Sequence, residues 1–209
     1  FLRAHELIQK EDIFDSVNEL PFVIVGSGLA AIEVSYALRK RWRGRSLKLL
    51  CDSRKINHKI LKSLRNSNID LVENLNFDYG RVLLCTGNTS PLWAQKKILD
   101  SDSRGRIITN QNLQLKSLSG VFAAGDCSVV GSAERPASGV FAVKVVNTLV
   151  QNLKKDIEGG LLKKWFPQRI GLQIVNIFPS YHQKAFAIYR NFVFGPSFLF
   201  WILKHKIDL

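Results

Sequence analysis

The sequence predicts an α/β fold built on a parallel sheet. An apolar run of strand length, Phe22 to Val25, leads through a glycine-rich turn into residues 29–43, which have no Gly or Pro and read as a helix. A second strand, 47–50, leads in the same way to a second helix, 56–65. Two strand–helix steps in a row are typical of a parallel sheet whose strands are connected by helices.

Later elements follow the same signals. Short apolar runs that end at small or polar residues predict strands at 82–85, 107–108 and 121–124. A helix is predicted over 139–153, ended by Gly159 and Gly160, and then strands at 171–177 and 185–189 and a terminal apolar helix at 198–206. Residues 1–20 read as a short connecting helix.

The charge is less ordinary than the composition. The chain has 46% hydrophobic and 22% charged residues, but 30 basic residues against 17 acidic ones give it a net charge of +13. Such a charge favours anionic partners. Eleven of the basic residues lie between Arg39 and Arg65, where Asp52 is the single acid. We interpret this stretch as a solvated helix face beside a nucleotide site, and we expect no nucleic-acid partner because aromatic residues do not alternate with the basic ones.

Cysteine usage and hydropathy indicate a cytoplasmic protein. Cys51, Cys85 and Cys127 form no C-x-x-C pair, so we expect three buried thiols in a reducing compartment and no metal site. The longest apolar run, 192–203, contains Gly195 and Pro196 and is shorter than the about twenty residues that span a bilayer. Because the chain starts at Phe1 and has no Met, we expect it to be part of a longer protein.

The first functional motif is Gly26-Ser27-Gly28-Leu29-Ala30-Ala31, a G-x-G-x-x-A fingerprint between a strand and a helix. Gly26 permits the tight turn, Gly28 leaves room for a pyrophosphate, and Ala31 allows the helix to pack closely on the strand. Asp52 follows the next strand, where an acid accepts hydrogen bonds from ribose hydroxyls. The motif therefore predicts a dinucleotide site. Asp52 favours NAD, whereas Arg54 would pair with the 2′-phosphate of NADP, so the choice stays open and leans to NAD.

Two further strand ends resemble parts of a known superfamily. Residues 82–87 end in Thr86-Gly87, and residues 120–126 deliver Gly125 and Asp126 to the end of an apolar run. The glycine fingerprint, the T-G strand and the G-D strand, in that order, resemble the pyridine nucleotide-disulfide oxidoreductase superfamily. In that superfamily a Rossmann-like NAD(P)-binding domain is inserted into an FAD-binding domain.

The resemblance implies a division of the chain and a set of ligands. Residues 1–20 would be a connector, 21–88 the NAD(P)-binding domain, and 89–209 the carboxyl part of an FAD-binding domain whose first segment is missing. Gly26, Ser27, Gly28, Ala31, Asp52, Thr86 and Gly87 would form the cofactor-binding residues of the first part, and Gly125 and Asp126 those of the second. Asp126 would hydrogen-bond the ribitol or phosphate of FAD, and the helix that begins near Gly139 would point its amino terminus at the flavin ring.

The catalytic assignment rests on Glu33. Its position matches a glutamate that many members of the superfamily place near the nicotinamide, while a buried or capping acid in the first turn of a helix is an equally good interpretation. The absence of a redox cysteine pair implies hydride transfer from NAD(P)H to FAD and then to an external small-molecule acceptor such as a quinone, as in type II NADH dehydrogenases. The alternative is a non-catalytic or regulatory module that keeps the fold for docking.

The tail narrows the resemblance. Residues 135–143, 166–169 and 201–208 are similar to the flavoprotein module that is fused to selenide, water dikinase. This implies a fused or associated dikinase as partner and a link to selenium metabolism, by association only. Aromatic residues with nearby lysines in the last eighteen positions also fit an interfacial helix and a peripheral location at a membrane. Packing of that aromatic stripe within the flavin domain is the favoured interpretation.

Overall fold

The structure, a computed structural model, describes residues 6, 8–9, 20–87, 99–131, 139–168, 170–177 and 183–208. The chain forms two compact units. The first contains Phe1–Gly87 together with Gln173–Leu209, and the second contains Asn88–Leu172.

A four-stranded parallel sheet organises the first unit. Its strands are β1 (Phe22–Val25), β2 (Leu47–Leu50), β3 (Ile69–Val72) and β4 (Arg81–Leu84), in the order β3-β2-β1-β4. β1 and β2 are apolar runs whose Phe22, Leu47 and Leu49 lie in the core. Because all four strands are parallel, their carboxyl ends meet at one edge, and the strand order changes direction between β1 and β4. Ligands of open α/β sheets bind at such an edge.

Two helices connect these strands. α1 (Leu29–Arg41) buries Ala31, Ile32 and Tyr36 on the sheet, and α2 (His58–Asn66) buries Ile60 and Leu64. α1 ends in three basic residues, which suit the negative end of the helix dipole, and Asn57 caps α2 by accepting a hydrogen bond from the Lys59 amide. Both predicted strand–helix steps are thus confirmed, and so is the parallel sheet.

Part of the basic stretch is structural and not a solvated face. The Arg39 guanidinium donates to the carbonyl oxygens of Trp42 (2.9 Å), Arg45 (2.8 Å) and Asn68 (2.6 Å), and so joins the end of α1 to the turn after α2. Arg45 is buried, and its guanidinium lies 5.3 Å from the ring centroid of Phe22 and 4.8 Å from that of Trp42, two rings that also contact each other. The prediction of one solvated helix face is therefore wrong for these two arginines.

The carboxyl-terminal segment packs on the same unit. It forms an antiparallel sheet of β7 (Gln173–Ile177), β8 (Lys184–Tyr189) and β9 (Phe192–Ser197), followed by α4 (Phe198–Asp208). Val175, Ile177 and Phe186 join the core that contains β1 and α1. The predicted division placed 89–209 together, whereas the structure places Gln173–Leu209 with the first unit, because β7 packs against α1.

The second unit is built around one long helix. β5 (Ile107–Thr109) and β6 (Ser128–Val130) pair in parallel, and α3 (Gly139–Glu158) packs beside them through Val145 on Leu113 and Val130. Residues 121–124 were predicted as a strand, but within them only Phe122 makes an isolated bridge, to Gln114. The strand of this region begins at Ser128, after the Gly-Asp turn, because β5 pairs there.

A buried asparagine holds the loops of the second unit. Asn152 of α3 is fully buried, and its side-chain amide donates to the carbonyl oxygens of Asn112 (2.8 Å) and Lys163 (2.9 Å) and accepts from the Lys163 amide (2.7 Å). A further buried link is the Arg106 guanidinium, 2.7 Å from the Asp102 carboxylate. The bonds of Asn152 give partners to backbone groups that no sheet or helix satisfies.

Two predicted features lie partly outside the described residues. The connector at 1–20 is described only at residues 6, 8–9 and 20, and the first four residues of the motif at 135–143 fall in the segment 132–138.

Replacing Asn152 should unfold the second unit first. Asn152→Ala leaves the amide and carbonyl of Lys163 and the carbonyl of Asn112 without these partners, which we expect to lower the free energy of unfolding by about 3 kcal/mol. Urea unfolding followed by circular dichroism measures this loss. The control is Asn147→Ala, an exposed asparagine of the same helix, which should cause no loss. Equal midpoints for the two variants would contradict the role of Asn152.

Candidate functional site

The turn between β1 and α1 is the first candidate. Gly26 has φ of +149°, and a Cβ added to it would lie 2.4 Å from the carbonyl oxygen of Cys85 and 3.1 Å from the Cβ of Ala31. Only glycine fits there, because the turn passes directly between β4 and α1. Ala31, fully buried, has the small side chain that this approach requires. The geometry agrees with the roles predicted for Gly26 and Ala31 in shaping the turn.

Gly28 has the opposite environment. It is the N-cap of α1, with φ of −86°, and no atom lies within 4 Å of a Cβ added to it. No side chain caps the helix at this position. Space is therefore open in front of the first turn of a thirteen-residue helix, whose free amides and dipole attract an anion.

The end of β2 is tied to this turn. The Asp52 amide donates to the Ser27 hydroxyl at 2.9 Å, and so the predicted ribose acid lies beside the predicted phosphate turn. The Asp52 carboxylate itself accepts from Arg54 and lies 3.7 Å from Lys55. The hydrogen bond from Arg54, aided by the charges of both cations, lowers the pKa of Asp52 despite partial desolvation.

Thr86 and Gly87 lie at the same edge of the sheet. They follow β4, which pairs with β1, and the Cys85 amide donates to the Val25 carbonyl at 2.7 Å where the two strands end. Gly87 has φ of +105°, which favours glycine, and it is the last residue of the first unit before the second begins. The predicted residues of the first unit, namely Gly26, Ser27, Gly28, Asp52, Thr86 and Gly87, thus gather at the carboxyl ends of β2, β1 and β4.

Glu33 has partners that the sequence did not indicate. Its Oε1 accepts from the backbone amide of Asn176 at 3.0 Å and from Nζ of Lys204 at 2.5 Å. These partners belong to β7 and α4, 143 and 171 residues along the chain. The half-buried carboxylate attaches the carboxyl-terminal segment to α1, and this favours the structural interpretation of Glu33 over contact with nicotinamide. No local pattern signals a partner at that separation.

The second unit holds the other predicted pair. Gly125, Asp126 and Cys127 form a single turn of 3-10 helix in which Gly125 has φ of +80°. A Cβ on Gly125 would lie 3.6 Å from that of Ala142, and so the turn lies against the beginning of α3. Asp126 is exposed there. The described first turn of α3 contains no acidic residue.

The cysteines differ in exposure. Cys51 is buried and Cys85 is half-buried, but Cys127 is exposed, and so the prediction of three buried thiols is wrong for Cys127. Its place in the Gly-Asp turn puts it outside the core. Burial raises the pKa of Cys85, and burial together with the charges of Glu73 and Asp52 raises the pKa of Cys51. Neither thiol is activated as a thiolate.

Two kinds of feature are absent from the described residues. No group of three or more His, Cys, Asp or Glu side chains is arranged to hold a metal ion there. No helix in that part of the chain has both the length and the apolar character needed to cross a membrane.

Comparison with known proteins supports the fold. The chain matches no protein-family model and no curated protein sequence. Among solved structures it is similar to the sulfide:quinone oxidoreductase of Aquifex aeolicus, with 15% identity and a TM-score of 0.62 over 96% of this chain and 59% of that one. It is also similar to a NAD-dependent persulfide reductase of A. fulgidus, with 18% identity and a TM-score of 0.60 over 86% and 38%.

A third structure is the reduced CoADR-RHD of Bacillus anthracis, with 17% identity and a TM-score of 0.64 over 92% of this chain and 37% of that one. The chain thus spans between 37% and 59% of the length of these proteins. The predicted α/β fold, with a parallel sheet, flanking helices and a Rossmann-like arrangement, is confirmed.

The two glycines of the turn should respond differently to alanine. Gly26→Ala forces a Cβ against the Cys85 carbonyl and a side chain into φ of +149°, and we expect it to lower the free energy of unfolding by more than about 2 kcal/mol. Gly28→Ala meets open space at an ordinary φ and should change stability by less than about 0.5 kcal/mol. Thermal unfolding of both variants measures the difference. Equal losses of stability would show that the approach to β4 does not require glycine.

Proposed function

We propose that this chain is part of an FAD-dependent oxidoreductase that takes hydride from NAD(P)H. The observation that carries the proposal is the edge of the parallel sheet, where a glycine turn, an open helix amino terminus and Asp52 lie together. The sulfide:quinone oxidoreductase and the NAD-dependent persulfide reductase, which have a similar fold, support the same class of reaction.

The first unit fits a dinucleotide. The open space at Gly28 would receive the pyrophosphate, whose charge the first-turn amides of α1 would stabilise. The hydrogen bond from the Asp52 amide to Ser27 would hold the glycine turn at a fixed distance from the ribose-binding end of β2. The close contact at Gly26 makes this turn rigid, so little ordering is required when the nucleotide binds.

The second unit fits the flavin side. The exposed Asp126 carboxylate would accept hydrogen bonds from the ribityl hydroxyls, and Gly125 would keep this turn against α3. The amino-terminal end of α3 would favour negative charge on the bound ring. FAD, when bound, supplies the two-electron chemistry, accepting hydride from NAD(P)H and releasing electrons to a small-molecule acceptor.

The thiols point to an acceptor outside the chain. All three cysteines are free, and two of them have raised pKa values. A thiol that stays protonated is a poor nucleophile and a poor redox relay. We therefore propose that electrons leave the flavin directly for an external acceptor, with no disulfide of this chain as intermediate.

Flavin content tests the proposal. The full-length protein should show visible flavin absorption that bleaches when NADH or NADPH is added under nitrogen. Asp126→Ala should lose most of the bound flavin, because its carboxylate is the proposed ribityl ligand. The matched control, Asp156→Ala, changes an exposed acid elsewhere in the same unit and should keep the flavin. A folded but colourless wild-type protein would overturn the proposal and favour the non-catalytic docking module.

A second proposal concerns the apolar surface of the carboxyl-terminal segment. Phe192 and Phe194 of β9 and Phe198 and Leu199 of α4 are 66%, 51%, 51% and 72% exposed. The three phenylalanines were expected to pack as core, yet the structure exposes them and Leu199 beside a segment rich in basic residues, which include the exposed His205 and Lys206. An exposed apolar cluster of this kind, flanked by cations, supports attachment to an anionic membrane surface.

Vesicle flotation tests the attachment. The full-length protein should float with vesicles of phosphatidylcholine containing about 30% phosphatidylserine, and less so with phosphatidylcholine alone. Phe198→Ser with Leu199→Ser should reduce the floated fraction at least about tenfold, since two apolar anchors are removed. The control pair, Leu161→Ser with Phe166→Ser, changes two equally exposed apolar residues of the second unit. Equal flotation of all variants, or none by the wild type, would end this proposal.

The association with selenide, water dikinase stays a prediction from the resemblance of the tail.

A further inference from the structure

The carboxylate that would read the ribose is already occupied. Oδ1 of Asp52 accepts from the backbone amide of Arg54 at 3.2 Å and from its Nε at 2.9 Å, while Oδ2 accepts from Nη2 of Arg54 at 3.2 Å and lies 3.7 Å from Nζ of Lys55. A carboxylate offers about four acceptor positions, and the hydrogen bonds from Arg54 take up three of them, with the charge of Lys55 close by. Asp52 in this state has little capacity left for the two ribose hydroxyls of NADH.

The cations are more accessible than the acid. The side chains of Arg54 and Lys55 are 88% and 71% exposed, whereas that of Asp52 is 26% exposed. Both cations belong to the short 3-10 helix Ser53–Lys55, which follows the end of β2 beside the glycine turn. An arriving ligand at this corner meets a guanidinium and an ammonium before it meets the carboxylate.

The charge of this corner does not repel a phosphate. Among the described residues, a second acid at this edge is Glu73, which follows β3 and accepts from the Ser53 hydroxyl at 3.0 Å. Asp52 and Glu73 thus stand against Arg54 and Lys55, and these four side chains together have no net negative charge. Selection of NADH by an acid works by repelling the 2′-phosphate, and that repulsion is cancelled here.

A local ion pair that only stabilises the turn is the simplest alternative. Exposed pairs of this kind contribute little to stability and open easily. An exposed arginine that leaves Asp52 at small cost is also well suited to bind a phosphate, since its planar guanidinium matches two phosphate oxygens. The two interpretations differ in what Arg54 does when nucleotide is present, which can be measured.

We propose that the dinucleotide of this protein carries a phosphate on the 2′ position of the adenosine ribose, that is, NADPH in preference to NADH, and that Arg54 with Lys55 selects it. The inference rests on the proposed dinucleotide site and names its substrate class. Asp52 serves as the counter-ion that holds Arg54 in place before the nucleotide binds. The 2′-phosphate replaces the carboxylate as the partner of the guanidinium.

Binding measurements test the selection without turnover. The full-length protein is titrated by calorimetry with NADPH, NADH, adenosine 2′,5′-bisphosphate and AMP. We expect the 2′-phosphorylated member of each pair to bind at least about tenfold more tightly. Arg54→Gln should weaken the binding of that member about tenfold and leave the binding of NADH and AMP within about threefold. Arg54→Lys, which keeps the charge without the fork, should lie between.

The control is Arg43→Gln, an exposed arginine of the same basic stretch that lies between α1 and the start of β2, at the opposite edge of the sheet. It should change none of the four affinities by more than about twofold. NADH binding as tightly as NADPH, or an Arg54→Gln variant that weakens both equally, would overturn the selection and leave the dinucleotide site standing. Failure of the folded protein to bind either nucleotide would overturn both proposals.

Discussion

The contact between Gly26 and β4 is the constraint on which the rest of the first unit depends. A turn that passes 2.4 Å from a carbonyl oxygen, measured from where a Cβ would lie, requires glycine and a small residue at Ala31. Because the turn is held there, α1 begins directly at the carboxyl edge of the sheet. Gly28 then opens on free space instead of protein. This one steric condition in the backbone thus places the amino terminus of α1 beside the open space in which the proposed phosphate site lies.

The two ends of α1 have different surroundings. Its amino terminus faces the open space at Gly28, and its carboxyl terminus is closed by Arg39, which donates to carbonyl oxygens of the two loops that follow α1 and α2. Between them Glu33 binds the carboxyl-terminal segment through Asn176 and Lys204. For Glu33, a place near nicotinamide and a structural role were equally good interpretations, and its contacts attach one part of the fold to another. The helix is therefore held at its carboxyl end and along its length, while open space lies at Gly28.

A side chain that the sequence predicts to bind a ligand can instead bond to another residue of the same chain. Asp52 was singled out as a ribose acid from its position after β2, and the structure confirms that position beside Ser27. Its carboxylate nevertheless bonds to Arg54, two residues away. Among the aromatic residues of the tail, which were expected to pack as core, Phe192, Phe194 and Phe198 are exposed, and Phe200 and Trp201 are half-buried. In both cases the sequence located the residue, and the tertiary structure decided what its side chain contacts.

The sequence by itself determined the first two strand–helix steps, the parallel sheet and the glycine turn, because these depend on apolar periodicity and on backbone conformations that glycine alone adopts. It predicted neither β3 nor β9 as a strand, and it located Thr86-Gly87 just beyond the end of β4. Only the tertiary structure decided the partners of Glu33, the exposure of Cys127, the late start of β6 and the place of Gln173–Leu209. Those outcomes are set by contacts between segments far apart in the chain, and no local pattern of residues records which distant surface a side chain will meet.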